Sequence, residues 1–221
     1  MATYALVNKN MSKLKTVLED SGYFDQVTLG QETSGNITYD TVNCYIGENL
    51  FLQFGKNGTG TSTRNLFVVY YRGTSVKPTV DNISSTVYLP NHAYQCSGGL
   101  VLVTDSNRII ITKNQNNDVT VIWGGANGTS TSTDVVMAQI GAIAVTDTAA
   151  YKLAAINLVS FTQTVLVPVC TCSGFDVVSY TPTVMLAVYK QHTTIGHILY
   201  NNKRYFFDGY FATEDEEEEA A

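Results

Sequence analysis

His92, His192 and His197 are the only imidazoles in the chain, so they set the range of proton-transfer chemistry open to it. None belongs to a His-Glu-x-x-His motif, and none has a carboxylate at helical spacing that would complete a zinc site. His192 and His197 flank an expected turn and hairpin strand, where either would orient a nucleophile if the fold supplied one. Surface or interface histidines are the better expectation, and His92 near Cys96 is equally unspecific. The four cysteines are Cys44, Cys96, Cys170 and Cys172. Cys170 and Cys172 fall on one face of an expected strand, at a spacing shorter than zinc knuckles and ribbons use. All four are expected as reduced thiols without metal. Asp105, Asp118, Asp176 and Asp208 would be the members of a glycosidase pair, yet each sits in a turn context that favours Asp locally. GKNGTGTST holds the residues of a phosphate loop in the wrong order, and no Gly-x-Ser-x-Gly elbow occurs. The expectation is therefore no catalytic, cofactor-binding or metal residue, no cofactor, and no enzyme.

The aromatic residues are more informative. There are 14 Tyr and one Trp, residue types common in sugar platforms and in protein interfaces. Tyr70 and Tyr71 are adjacent on an expected strand, as are Phe206 and Phe207, so each pair presents a ring to both faces of its sheet. A partner surface or a two-sided sandwich would accept the outward ring.

Charge points the same way. Charged residues make up 14% of the 221 residues, against roughly 25% in an ordinary soluble domain. Six of the 19 acids are consecutive, Glu214 to Glu219, and setting them aside leaves 13 acids against 13 bases. The body is neutral, and no basic run offers an electrostatic footprint for nucleic acid. Residues 214–221 are expected to be a disordered acidic tail, because six like charges repel within a Debye length of about 8–10 Å. No signal-length apolar core opens the chain, and no apolar run reaches the roughly 18 residues of a membrane span. A cytoplasmic origin without membrane contact is the expectation.

The elements that must hold these residues are mostly strands. Residues 8–20 read as the one helix: Asn8 or Asn10 caps it, Met11, Leu14, Val17 and Leu18 form its apolar stripe, and Gly22 stops it. Its lysines lie near the start and its acids near the end, so it needs tertiary packing. From about residue 37 the period becomes two. Leu50–Phe54 and Leu66–Tyr71 read as paired strands, and Leu100–Thr104, Arg108–Thr112 and Val119–Trp123 as an antiparallel meander. Residues 124–134 are a loop by composition and the expected place for a sub-domain boundary. Residues 135–158 fit helix and strand equally. Thr164–Cys172, Thr183–Tyr189, Ile195–Tyr200, Arg204–Phe207 and Tyr210–Ala212 complete the set, with a tight turn at Asn201-Asn202. The expected fold is mainly β, an antiparallel β-sandwich or barrel-like domain with one N-terminal α-helix. Residues 1–30 are read as helix and loop, and 31–213 as the β-rich body.

The closing segment GHILYNNKRYFFDGYFATED resembles the final hairpin of small structural proteins of tailed bacteriophages. The opening phrase LKTVLEDSGYFDQVTLG is similar to the first helix and loop of such virion components. The resemblance covers about the first and last 30 residues and carries no catalytic signature. It implies a β-rich building block of the tail, neck or head surface, located in the virion and made in the bacterial host cytoplasm. Its partners would be copies of itself, as a homo-oligomer, and other virion structural proteins. A carbohydrate- or host-surface-binding β-domain is the alternative, marked by an exposed Tyr/Trp cluster beside Asp or Asn.

Overall fold

The computed structural model describes residues 1–6, 10–34, 36–57, 66–70, 89–104, 107–126, 134–142, 151–157, 165–173, 176–188, 195–209 and 211–216. Along the chain run β1 (Ala2–Ala5), α1 (Met11–Asp20), β2 (Gln26–Ser34), β3 (Ile37–Ile46), β4 (Asn49–Asn57) and β5 (Leu66–Tyr70). They are followed by β6 (His92–Cys96), β7 (Gly99–Val103), β8 (Asn107–Lys113), β9 (Val119–Ala126), β10 (Asp134–Ala142) and β11 (Tyr151–Asn157). The chain closes with β12 (Val165–Ser173), β13 (Asp176–Val188), β14 (Gly196–Tyr200), β15 (Lys203–Phe207) and β16 (Phe211–Glu214). The fold is mainly β, with antiparallel sheets and a helix near the N-terminus.

Two compact units divide the chain. One comprises Tyr4–Ala93 and Thr104–Ser106; the other comprises Met1–Thr3, Tyr94–Val103 and Asn107–Ala221. The boundary expected at 124–134 is not where they part. The strands flanking that stretch, β9 and β10, pair directly from Val135↔Ala126 onward. A hairpin connection and a linker share the same Gly/Ser/Thr composition, so composition could not separate them. Residues 127–133 themselves lie outside the described set.

In the first unit, α1 packs on β2 and β3 of a sheet ordered β2-β3-β4-β5. The Asn10 side chain accepts the Lys13 N–H at 3.0 Å, as an N-cap should, and Gly22 takes φ +70° past the last turn. The unfavourable charge order is offset by burial of Leu14, Val17 and Leu18, and Lys15 pairs with Glu19 one turn on. β2 begins at Gln26, inside the segment expected to be helix and loop. Its alternation is diluted by polar residues, with Val27 buried and Leu29 exposed.

The second unit contains a β-sandwich. One sheet, ordered β1-β6-β7-β8-β9-β10-β11, includes the expected meander; the other is ordered β12-β13-β16-β15-β14. Val101, Ile110 and Ile122 of the first sheet meet Val169, Val184, Phe206 and Phe211 of the second in one core. Leu100, Leu102, Ile109, Ile111 and Val121 alternate with the inward residues and are also buried, so the meander is covered on both faces. The ambiguous stretch 135–158 supplies the paired strands β10 and β11, with Met137 opposite Leu153. Its Ala-rich spacing suits a helix, but the open edge of β9 selects extended backbone.

Gly98 ties the two sheets together. A Cβ there would lie 2.8 Å from Thr183 Cβ and 2.9 Å from Glu214 Cβ, so only glycine allows the approach. Its N–H donates to the Glu214 carbonyl at 2.8 Å, and its own carbonyl accepts from Thr112 Oγ1 at 2.6 Å and Thr183 Oγ1 at 2.8 Å. These bonds satisfy polar groups in an otherwise apolar interior.

Candidate functional site

The residues that could do work converge at the C-terminal end of the five-stranded sheet. Asn201 and Asn202 adopt φ +49° and +60°, the paired left-handed conformation of a type I′ turn, and they fold β14 onto β15. The register sets His197 opposite Phe206, and β16 then brings Thr213 against Phe206 from the other side. The result places His197 and Asp215 side by side although 18 residues separate them. His197 Nε2 lies 2.7 Å from Asp215 Oδ2, and its ring meets Phe206 edge-on with centroids 5.8 Å apart.

The first residues of the acidic run are ordered against the sheet. Glu214 ends β16 and pairs with Lys203 at 3.1 Å; Asp215 is buried; the Glu216 N–H donates to Ser97 Oγ at 2.9 Å. The Met1 ammonium also lies 3.6 Å from Asp215. The expectation of disorder from 214 is corrected for 214–216, and 217–221 lie outside the described residues. Alternation along extended chain is the reason: Asp215 turns toward the sheet interior while Glu214 turns to the opposite face, where Lys203 meets it. Glu214, by hydrogen bond and by charge, holds the Lys203 ammonium above its ordinary range. Burial, with Glu214 adding to it, raises the Tyr205 phenol.

This constellation contains a histidine, an aspartate and a serine, but the serine is committed elsewhere. Ser97 Oγ donates to the Glu214 carbonyl at 3.2 Å and accepts the Glu216 N–H. The nearby Cys96 is no better as a nucleophile. Burial, reinforced by the charge of Asp215, pushes its thiol up to about 12, so it stays protonated near neutrality. Cys44 is likewise buried and free. What the cluster does is fasten the end of the chain to the hairpin.

The other expected positions are dispersed. Asp208 is buried in the turn before β16, where its Oδ1 accepts the Phe211 N–H at 2.8 Å and its carbonyl accepts from Arg108 Nε at 3.0 Å. Asp118 faces the Asn114 side chain in the turn between β8 and β9. His92 is exposed at the start of β6. His192 and Asp105, and the side chains of Asp176, Cys170 and Cys172, lie outside the described residues. Among the described residues, no three His, Cys, Asp or Glu are grouped as a metal would need, and no helix is long and apolar enough to cross a membrane.

Beside the cluster lies an open sheet edge. β14 ends the five-stranded sheet, and among the described residues no strand pairs with its outer side. Leu199 is 75% exposed and Ile195 43%. Edge strands are usually guarded by Lys, Pro or a bulge, and Gly196-His197-Ile198-Leu199-Tyr200 has none of these. The residue pattern of 195–200 predicts this strand but not its place at an edge, because strand order is set by pairings distant in sequence. Comparison of the chain with protein families, curated proteins and solved structures returns no match.

Proposed function

We propose that the chain is a structural subunit of a phage or phage-like virion and acts by oligomeric assembly, without catalysis. The observation that carries this reading is the edge of β14, which no strand pairs with among the described residues, together with the exposed Leu199 and Ile195. A monomer that stayed alone would be expected to protect such an edge. The neutral body and low charge content support the same reading, since neighbouring copies can cover such a surface without bringing like charges together. The resemblance of the two terminal segments to those of tailed-bacteriophage structural proteins supports the virion as the setting. In that setting the partners are further copies of this chain and other virion proteins.

The carbohydrate-binding alternative has less support. It needs a cluster of exposed rings, and Tyr180 is the ring left most open among the described residues, at 46%. Light scattering on the purified full chain tests the proposal: a defined homo-oligomer is expected. A monomer at every concentration, with binding on a glycan array, would replace it with the alternative.

A further inference from the structure

Resting on the assembly reading above, we infer that β14 pairs antiparallel with β14 of a second copy about a twofold axis through Ile198. The backbone fixes which groups are offered. Tyr200 and Lys203 flank a two-residue turn and exchange hydrogen bonds, and bonded positions alternate along an antiparallel pair. Gly196 and Ile198 therefore bond inward to β15, while the N–H and C=O groups of Ile195, His197 and Leu199 point to the open edge.

A twofold through Ile198 matches those groups to themselves, with His197 opposite Leu199 of the second copy and the reverse. The side chains then fit without a clash of size or charge. Gly196 falls opposite Tyr200 of the second copy. A Cβ at Gly196 would meet nothing within 4 Å, so the space above it is open for that ring, and a cross-strand aromatic is the usual cover for an edge glycine. Ile198 meets Ile198 at the axis. Ile198 and Tyr200 already pack on the apolar cluster of Leu166, Tyr205, Phe207 and Ala212, and pairing would carry that cluster across the join. Electrostatics favours a second copy in particular. Any Lys, Arg, Asp or Glu on β14 would lie close to its own like across the axis, and the strand has none. Of the charged groups on β15 beside it, Lys203 is paired with Glu214 within its own chain, and Arg204 sits opposite Leu199 on the side away from the axis.

Cysteine scanning of the full chain tests the register. Across the axis the two Ile198 positions form a non-hydrogen-bonded pair with Cα atoms about 4.5 Å apart, within disulfide reach. Ile198→Cys should give a covalent dimer under mild oxidation, with the peptide carrying position 198 linked to its own copy. Leu199→Cys is more exposed but two residues out of register, beyond the roughly 7 Å a bridge spans, and should not link. Leu199→Lys, which leaves the core untouched, should weaken self-association about tenfold or more. An oligomeric wild type whose Ile198→Cys variant does not link, or whose Leu199→Cys variant links as well, overturns the β14 pairing and leaves assembly standing. A wild type that is monomeric throughout overturns both.

Discussion

The meander β7–β8–β9 and the hairpin β14–β15 are built from the same local code and end in opposite environments. Both are short apolar strands, and Asn-containing turns join β8 to β9 and β14 to β15. In the meander every strand has a neighbour on each side and both faces are covered. In the hairpin, β15 is interior and its Tyr205, Phe206 and Phe207 are buried, whereas β14 has one neighbour among the described residues and exposes Leu199. An apolar run thus reports that a strand exists. Its position in the strand order decides whether the run stabilises the monomer or awaits a partner.

Truncating one residue in each region gives the largest contrast. Ile110→Ala, in the meander core, should lower unfolding free energy by about 2–5 kcal/mol in chemical denaturation. Leu199→Ala should stay within about 0.5 kcal/mol at concentrations where the chain is monomeric. Equal losses would remove the distinction between the two strands.

The C-terminus sharpens it further. Removing 217–221 should leave the melting temperature unchanged. Removing 214–221 should cost about 1–3 kcal/mol, because the buried Gly98 N–H loses the Glu214 carbonyl and His197 loses Asp215. Identical melting of both truncations would show that 214–216 do not fasten the hairpin.

A third effect comes from Cys96 in the sandwich. Its thiol is held protonated to about pH 12 in the folded chain, against an ordinary value near 9.0. Between those values the folded state binds the extra proton, so stability falls as pH rises, by about 1.4 kcal/mol per unit. Cys96→Ala should flatten the decline of stability between pH 9 and 11 in denaturation series; an unchanged slope would contradict the burial argument. A more local effect belongs to the hairpin turn. Asn202→Val should cost about 1–2 kcal/mol at its φ of +60°, while Asn202→Gly should be near neutral.

The sequence made some of this legible and hid the rest for physical reasons. The helix cap at Asn10, the meander and the Asn201-Asn202 turn follow from residues within a few positions of one another, and local chemistry announced them. β2 escaped because Gly30, Gln31 and Glu32 interrupt its apolar alternation. β10 and β11 escaped because an Ala-rich stretch satisfies two periods, and only pairing with β9 selects one. The His197–Asp215 pair depends on two successive strand pairings, and no spacing in the chain signals it. Six consecutive like charges predict disorder, yet at 214–216 extended backbone sends neighbouring carboxylates to opposite faces.

Sedimentation of the full chain across a wide concentration range, beside Leu199→Lys, measures most directly whether the open edge is an assembly surface. The wild type should sediment as a homo-oligomer that dissociates on dilution, with the variant shifted toward monomer at every concentration. A wild type that remains monomeric at its highest concentration would contradict the assembly account.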